Sequence, residues 1–155
     1  MRLEINKMTV KDLNLISKNL YDDFDDFWTY SVFKSELENN NSKYIVAKQN
    51  NEIVGFAGIW IAIDVAHITN IVVKKSMRKN GIGSLLLQEL INMFKKLGLN
   101  EITLEVNEQN SSAIHLYQNF GFRQVGLRKK YYRNGDNAII MTRDKDAIKY
   151  FCRKD

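Results

Sequence analysis

The chain has 155 residues, 45% of them hydrophobic, which suffices for one domain with a hydrophobic core. Its formal net charge of +5 suits an anionic ligand or a ribosomal neighbourhood, but with 26% charged residues it is no nucleic-acid-binding arm. The single cysteine, Cys152, excludes an internal disulfide and a cysteine-based metal site, and only two histidines occur, so we expect no metal. The N-terminus lacks the apolar stretch of a signal peptide and no long apolar run occurs, so we expect a cytoplasmic protein without membrane contact.

The first part of the chain predicts a strand, two helices and a hairpin. Leu3 and Ile5 alternate with polar residues as in a short strand, and Thr9 with Asp12 resembles the capping box that begins a helix. The apolar positions of the two helices recur at helical spacing: Leu13, Ile16, Leu20, Phe33 and Leu37. The predicted hairpin has strands at residues 44–48 and 52–63 and a turn at Asn50-Asn51.

The second part alternates strands and helices. The strand at His67–Val73 is β-branched and nearly continuously apolar from Ile68 onward, as is typical of a strand buried on both faces. A helix over residues 81–97 then carries an apolar stripe: Ile82, Leu85, Leu86, Leu90, Met93, Phe94 and Leu97. The next strand, Glu101–Val106, alternates so that Ile102, Leu104 and Val106 share a face. A helix capped by Asn110 or Ser111 runs to Asn119, and the last strands are predicted near residues 122–127 and 138–142.

The connection Arg78-Lys79-Asn80-Gly81-Ile82-Gly83 predicts a phosphate-binding loop. A glycine-bearing loop that leads from a strand into a helix N-terminus directs free backbone N–H groups and the positive end of the helix dipole at an anion. Lys74, Lys75, Arg78 and Lys79 add positive charge. The alternative is an ordinary connection with a solvated basic surface. The spacing matches neither the dinucleotide fingerprint nor the P-loop.

These motifs resemble the GNAT superfamily of N-acetyltransferases. R-x-x-G-x-G after a strand resembles its acyl-CoA loop, and L-E-V-x-x-x-N-x-x-A-I-x-L-Y-x-x-x-G-F, from Leu104 to Phe122, resembles its RimI-type branch, which acetylates the N-terminal alanine of a ribosomal protein. Tyr131-Tyr132 and the later D-N-A-I-I-M resemble the ending of that branch. The resemblance is dense over residues 67–143 and absent after Asp144.

The resemblance implies an α+β fold in one domain over residues 1–155, with a tail after Asp144 that has no family counterpart. The predicted order β-α-α-β-β-β-α-β-α-β-β is that of the GNAT fold. This fold has a mixed, mostly antiparallel central sheet of about seven strands with four helices between them.

The implied reaction is attack of an amine on the acetyl-CoA thioester. Glu105 is the candidate base, and we expect partial burial to raise its pKa toward the operating range. The alternative is a solvent-facing strand glutamate or a salt-bridge member. Tyr117 is the candidate acid, since a phenol of reference pKa about 10 stays protonated and can give its proton to a thiolate of pKa about 8.5. Its alternative is a core tyrosine.

The same resemblance implies the acetyl-CoA contacts. In the family a bulge frees backbone groups of the fourth strand to pair with the pantetheine arm, and one such N–H polarises the thioester carbonyl. Asn110 matches a position that hydrogen-bonds the cofactor, which is compatible with its being a helix cap. The expected cofactor-binding residues are Ile71, Val72, Val73, Arg78, Lys79, Asn80, Gly81, Ile82, Gly83, Ser84 and Asn110.

The acceptor site is expected in the segments Tyr21–Phe33 and Arg128–Asp136. Tyr131 and Tyr132 are the stronger candidates for holding the first residues of a peptide. The acid pairs Asp22-Asp23 and Asp25-Asp26 would attract a basic ribosomal protein tail, with Phe27 and Trp28 packing on its side chains. The alternative is a solvated acidic turn with its aromatics in the core.

Two residues with potentially reactive side chains are not expected to take part in catalysis. His115 points to a different helix face from Tyr117, so we expect a surface role, and Cys152 lies in the tail and is not expected to act as a nucleophile. Two other functions stay open: a GNAT that acetylates a polyamine or aminoglycoside, and a non-catalytic acyl-CoA-binding or ribosome-associated module. The joint presence of Glu105 and Tyr117 argues against the second.

Overall fold

The computed structural model describes residues 2–24 and 28–147. Within them lies a seven-stranded mixed sheet of order β1-β2-β3-β4-β5-β7-β6. The strands are β1 Leu3–Lys7, β2 Ser42–Gln49, β3 Glu52–Ala62, β4 Val65–Val73, β5 Glu101–Asn107, β6 Arg123–Arg128 and β7 Ala138–Asp144. The α-helices are α1 Val10–Ile16, α2 Tyr30–Glu38, α3 Ile82–Lys96 and α4 Ser111–Asn119. The predicted fold class and order of elements are confirmed.

The chain divides into two compact units. The first unit comprises residues 1–61 and 69–91, and the second unit comprises residues 62–68 and 92–155.

Local signals correctly predict the start of α1 and the turn between β2 and β3. Thr9 and Asp12 form the predicted capping box, and the Asp12 carboxylate also pairs with Lys48 at 2.9 Å. Asn50 and Asn51 both have positive φ, at 53° and 65°, which suits the turn of a β2–β3 hairpin. The predicted continuation of the first helix to Leu20 is wrong, because α1 ends at Ile16 and a 3₁₀ turn and a π turn follow it.

The predicted apolar stripe of α3 is partly wrong. Leu85 and Leu97 are each 47% exposed, whereas Leu87 and Ile91, which the pattern left out, are buried. With 3.6 residues per turn, Leu85 lies on the side of the helix opposite the centre of the buried stripe. Leu97 follows the last residue of α3. The buried positions are Ile82, Leu86, Leu87, Leu90, Ile91 and Phe94.

The prediction that β4 is buried on both faces is also wrong. Only Ala66 and Val72 of this strand are buried, His67 is exposed, and residues 68–71 are half-buried. A β-branched apolar sequence favours extended backbone, but it does not determine whether both faces of the strand are covered.

The second unit follows the predicted alternation. Ile102, Leu104 and Val106 of β5 are buried, while Glu105 between them is exposed. β5 pairs in parallel with β4 through Val65–His67 and antiparallel with β7 along its length, and β6 pairs antiparallel with β7. Asn110 caps α4, since its side-chain oxygen accepts from the Ala113 N–H at 3.2 Å. His115 is exposed, as predicted.

Candidate active site

In the first unit, the loop between β4 and α3 is held by its own side chains. The Arg78 guanidinium donates from Nε to the Val73 carbonyl at 3.1 Å and from Nη2 to the Phe24 carbonyl at 3.2 Å. The Asn80 amide donates to the carbonyls of Met77 and Arg78 at 3.0 and 3.2 Å. These bonds fix the backbone just before α3 begins.

The backbone of this loop suits a phosphate group. Lys79 and Gly81 both lie in the left-handed region, at φ 66° and 81°, and α3 begins at Ile82, directly after them. The first N–H groups of a helix have no partner within the helix, so they are available to an anion. A side chain built at Gly81 would meet nothing within 4 Å, so the surface of the loop is open there. The residues present therefore fit a pyrophosphate.

The four cations predicted around the loop have different environments. Lys74 forms an ion pair with Glu52, Lys75 donates to the Tyr21 carbonyl at 3.3 Å, and Arg78 binds the two carbonyls described above. Among the residues that the structure describes, Lys79 alone of the four has no such partner. The loop therefore offers an anion mainly its backbone amides and Lys79.

A polar cluster that includes two residues of β4, the predicted pantetheine strand, was not predicted from the sequence. The Tyr44 hydroxyl lies 2.7 Å from the Thr69 hydroxyl and accepts from the Asn70 amide at 3.0 Å. The Thr69 hydroxyl also donates to the Gly58 carbonyl at 3.1 Å. Burial raises the pKa of Tyr44 well above its usual range, so its hydroxyl stays a neutral donor and acceptor. The cluster fixes the side chains of β4 immediately before Ile71.

The predicted pantetheine strand is itself closely packed. The Val72 carbonyl lies so near Gly55 that a Cβ at residue 55 would approach it to 3.0 Å. Beyond the strand, the Lys74 N–H donates to the Val54 carbonyl at 2.8 Å. The contacts of Ile71, Val72 and Val73 with a cofactor stay a prediction.

In the second unit, Glu105 belongs to a cluster with Arg128 and Tyr131. Its Oε1 lies 3.2 Å from Nε of Arg128, and the two side chains are 32% and 56% exposed, so Glu105 is only partly shielded from solvent. Hydrogen bonding to the Glu105 carboxylate, and the charge of that carboxylate, raise the pKa of Tyr131. The ion pair matches the alternative interpretation of Glu105 as a member of a salt bridge. Its action as a base stays a prediction.

Tyr117 is a protonated phenol across the physiological range. Burial, with a smaller contribution from Tyr132, raises its pKa to about 12. Its ring packs edge-on against Phe122 at 5.9 Å between centroids. Within residues 2–24 and 28–147 its hydroxyl has no hydrogen-bond partner, so the proton it carries is available to a bound molecule.

Tyr131 and Tyr132 are presented by a loop with many internal hydrogen bonds. Their rings meet edge to face at 5.1 Å. The Tyr132 N–H donates to the Asp136 carbonyl at 3.1 Å, and the Asp136 carboxylate accepts from the Asn107 amide at 3.0 Å. The Asn137 side chain accepts from the Lys130 N–H at 2.9 Å. Asp and Asn in such a short loop are a usable sequence signal, because their side chains bond nearby backbone.

The acidic-aromatic segment is only partly described. Asp22 is exposed and Asp23 is half-buried, while Asp25, Asp26 and Phe27 lie outside the described residues, as does Cys152. Trp28 packs edge-on against Phe33 at 5.7 Å, beside the buried cluster of the first unit. This packing matches the alternative of an aromatic in the core, and a contact of Trp28 with substrate stays a prediction.

Across the described residues, no group of three His, Cys, Asp or Glu side chains is arranged to hold a metal ion. No helix in the same part of the chain is long and apolar enough to cross a membrane.

Comparison with known proteins agrees with these features. The sequence pattern of the "Acetyltransferase (GNAT) family" matches residues 9–122. A Bacillus subtilis protein with the provisional name of a ribosomal protein bS18-alanine N-acetyltransferase is 34% identical over 139 residues, 88% of this chain and 92% of that one. The Haemophilus influenzae protein named as that enzyme is 35% identical over 120 residues, 74% of this chain and 80% of its own. A crystal structure of the ribosomal-protein-S18-alanine N-acetyltransferase from Escherichia coli matches with a TM-score of 0.81 and 25% identity, covering 99% and 98% of the two chains.

Proposed function

The chain belongs to the acetyltransferase (GNAT) family and is an N-acetyltransferase, and on this premise we propose that it acetylates the N-terminal alanine of a ribosomal protein with acetyl-CoA. One observation carries the proposal beyond the relatives' names. A carboxylate and a protonated phenol, Glu105 and Tyr117, occupy the two motif positions that the reaction needs. An acyl transfer to an amine requires one group that accepts a proton and one that donates it.

Glu105 is proposed to accept the proton of the incoming ammonium. An α-amino group has a reference pKa near 8, so at neutral pH it arrives mostly protonated and must lose a proton before it attacks. Glu105 is accessible to a peptide that approaches from solvent, because its side chain is 32% exposed. The proton passes to the carboxylate directly or through a water molecule.

Tyr117 is proposed to protonate the leaving thiolate. Its pKa of about 12 keeps the phenol neutral, which secures the proton but makes the phenol a weaker acid than a free tyrosine. Proton transfer from this phenol to a thiolate whose thiol has a pKa of about 8.5 is unfavourable in free energy if it occurs as a separate step. The donation is therefore proposed to occur together with C–S cleavage, when negative charge develops on sulfur.

Acetyl-CoA supplies the activated acetyl group as a thioester. We propose that the backbone amides of residues 81–84, with Lys79, hold its pyrophosphate, and that Arg78 and Asn80 act by fixing the loop. The open surface at Gly81 and the left-handed backbone of Lys79 and Gly81 support this assignment. Ile71–Val73 are proposed to pair with the pantetheine arm, and Asn110 to bind the cofactor while capping α4.

The acceptor peptide is proposed to bind at Tyr131 and Tyr132. Hydrogen bonds that involve Asp136 and Asn137 order this loop before a peptide binds, so less conformational entropy of the loop is lost on binding. Asp22 and Asp23 would favour a basic tail, and Trp28 is the remaining aromatic candidate. We also propose that residues 1–155 act as one domain, since one family pattern covers residues 9–122, which belong to both compact units.

The test is consumption of acetyl-CoA with a panel of acceptors, with products identified by mass spectrometry. The panel contains an Ala-initiated peptide of ribosomal protein bS18, the same peptide already acetylated, a Met-initiated version, spermidine and kanamycin. We expect a single acetyl group on the α-amine of the Ala peptide, and Tyr117→Phe serves as the matched low-activity control. Transfer to spermidine or kanamycin but not to peptides would replace the proposed acceptor. No turnover with any acceptor would favour a non-catalytic module.

A further inference from the structure

Arg128 occupies a cation-binding position beside the proposed base. Its Nε lies 3.2 Å from the Glu105 carboxylate, and its guanidinium carbon lies 6.0 Å from the centre of the Tyr131 ring. A carboxylate and an aromatic face together are what a protein uses to bind an ammonium or guanidinium group. In this structure the protein's own arginine makes both contacts.

The strand register explains how Arg128 reaches Glu105. Glu105 lies opposite Ile140 on β7, and Ile140 lies opposite Gly126 on β6. Residues directly opposite in a ladder share a face, and so do residues two apart in a strand, so Arg128 lies on the same face as Glu105. Neighbouring strands are about 4.8 Å apart, so the long Arg128 stem must extend across β7 to form the pair. Gly126 has no side chain that would compete for this face.

We propose that Arg128 is an internal competitor for the acceptor's ammonium group. In the free enzyme its guanidinium lies against the Glu105 carboxylate and beside the Tyr131 ring, and an N-terminal α-ammonium must displace it to reach the base. This inference rests on the proposed function, since it takes Glu105 to be the group that meets the amine.

The exposure of Arg128 makes such a displacement feasible. Its side chain is 56% exposed, so it can turn into solvent without burying an unpaired charge. Exposed ion pairs of this kind contribute about 0.2–1 kcal/mol, so the competition should weaken peptide binding about 1.5-fold to fivefold. The acetylated N-terminus of the product is uncharged, so it forms no ion pair with Glu105 that could replace that of the arginine. This difference between substrate and product favours release of the product.

The proposal is tested with Arg128→Gln, Arg128→Lys and a matched control, Arg123→Gln. Arg123 lies on the same strand and pairs with a carboxylate, Asp144, at 3.4 Å, with its side chain 67% exposed. Steady-state kinetics with the Ala-initiated peptide give kcat and KM, and calorimetry measures binding of that peptide and of its acetylated form. Thermal melts verify that all variants are folded.

For Arg128→Gln we expect a KM for the peptide that is about 1.5-fold to fivefold lower with kcat retained, and tighter binding of the free peptide but not of the acetylated one. Arg128→Lys should stay near the wild type because it keeps the charge, and Arg123→Gln should change neither constant. An unchanged or raised KM in Arg128→Gln overturns the proposal, as does a fall in kcat at constant KM, which would make Arg128 a positioning residue for the base. Absence of peptide turnover in the wild type is a different outcome, which rejects the proposed function itself.

Methylguanidinium provides a second readout. In Arg128→Ala the vacated site should take this ion, so that it inhibits competitively against the peptide. The wild type, whose site is already filled, should be inhibited less at the same concentration. Equal inhibition of the two proteins would show that Arg128 does not occupy the ammonium site.

Discussion

Tyr44 and Gly58 lie directly opposite each other in the β2–β3 ladder, and the Tyr44 ring fills the space that a side chain at residue 58 would need. A Cβ built on Gly58 would lie 2.3 Å from Cζ of Tyr44, well inside any real contact. The ring is held there by the Thr69 and Asn70 side chains, which bond its hydroxyl. The polar cluster of Tyr44, Thr69 and Asn70 therefore requires glycine at residue 58.

Gly58→Ala is expected to lower the free energy of unfolding by about 1–3 kcal/mol, because the Tyr44 ring is buried and must move or the strands must separate. Urea denaturation measures the change. Gly83→Ala is the matched control, because a Cβ there meets nothing closer than Val73 Cγ2 at 3.8 Å and residue 83 is in a helix. Equal stability of Gly58→Ala and the wild type would show that the Tyr44 ring can relocate without cost.

Gly83→Glu is expected to weaken acetyl-CoA binding tenfold or more. A carboxylate at the N-terminus of α3 competes for the backbone amides and repels the pyrophosphate, and hydrogen bonds to charged groups are worth about 1.5–3 kcal/mol. Calorimetry with acetyl-CoA measures the change, and Gly83→Ala again is the control that adds bulk without charge. Gly81→Glu should behave alike, but its φ of 81° adds backbone strain, so residue 83 gives the cleaner test. Unchanged acetyl-CoA affinity in both Glu variants would refute the phosphate-loop assignment.

Local sequence signals account for most of the fold. The Thr9–Asp12 capping box, the Asn50-Asn51 turn and the alternation of β5 each depend on residues within a few positions of one another. Because the residues that determine each of these features are neighbours in the sequence, the features can be predicted from the sequence alone. Each of these predictions is confirmed. The RimI-type motifs likewise led to the family that the comparisons identify.

The predictions that failed depend on distant parts of the chain. The exposure of Leu85 and of β4 is set by which elements cover them, and that is a property of packing. The ion pair of Glu105 joins strands on either side of β7, and no pattern near residue 105 indicates Arg128. Gly58 is itself a usable sequence signal, since a glycine inside a long apolar strand often marks a close approach by another group.

Tyr117→Phe is expected to lower kcat about 10²-fold or more, the usual range for loss of a general acid, with little change in acetyl-CoA affinity. The ring and its packing on Phe122 are kept, and only the proton donor is removed. Turnover of Tyr117→Phe near the wild-type rate would show that Tyr117 is a core residue and not the general acid.

The pH dependence of the wild type gives an independent test of the same residue. Because the pKa of Tyr117 is raised to about 12, the phenol is protonated below that value and loses its proton only above it. The kcat of the wild type should therefore show no decline due to Tyr117 as pH rises from neutrality to about 10, the reference pKa of tyrosine. A decline below pH 10 that is absent from Tyr117→Phe would contradict the raised pKa.

Glu105→Gln is expected to impair kcat/KM by removing proton acceptance, since the amide is nearly isosteric and cannot act as a base. The deficit should shrink at high pH, where the acceptor amine, of reference pKa near 8, arrives already neutral. The substitution also removes the partner of Arg128 at 3.2 Å, so peptide binding can change as well. Full pH profiles of kcat/KM for the wild type, Glu105→Gln and the double variant with Arg128→Gln separate the two effects. If the deficit stays constant from neutrality to pH of about 10, above the pKa of the amine, Glu105 positions the substrate and another group or a water chain accepts the proton.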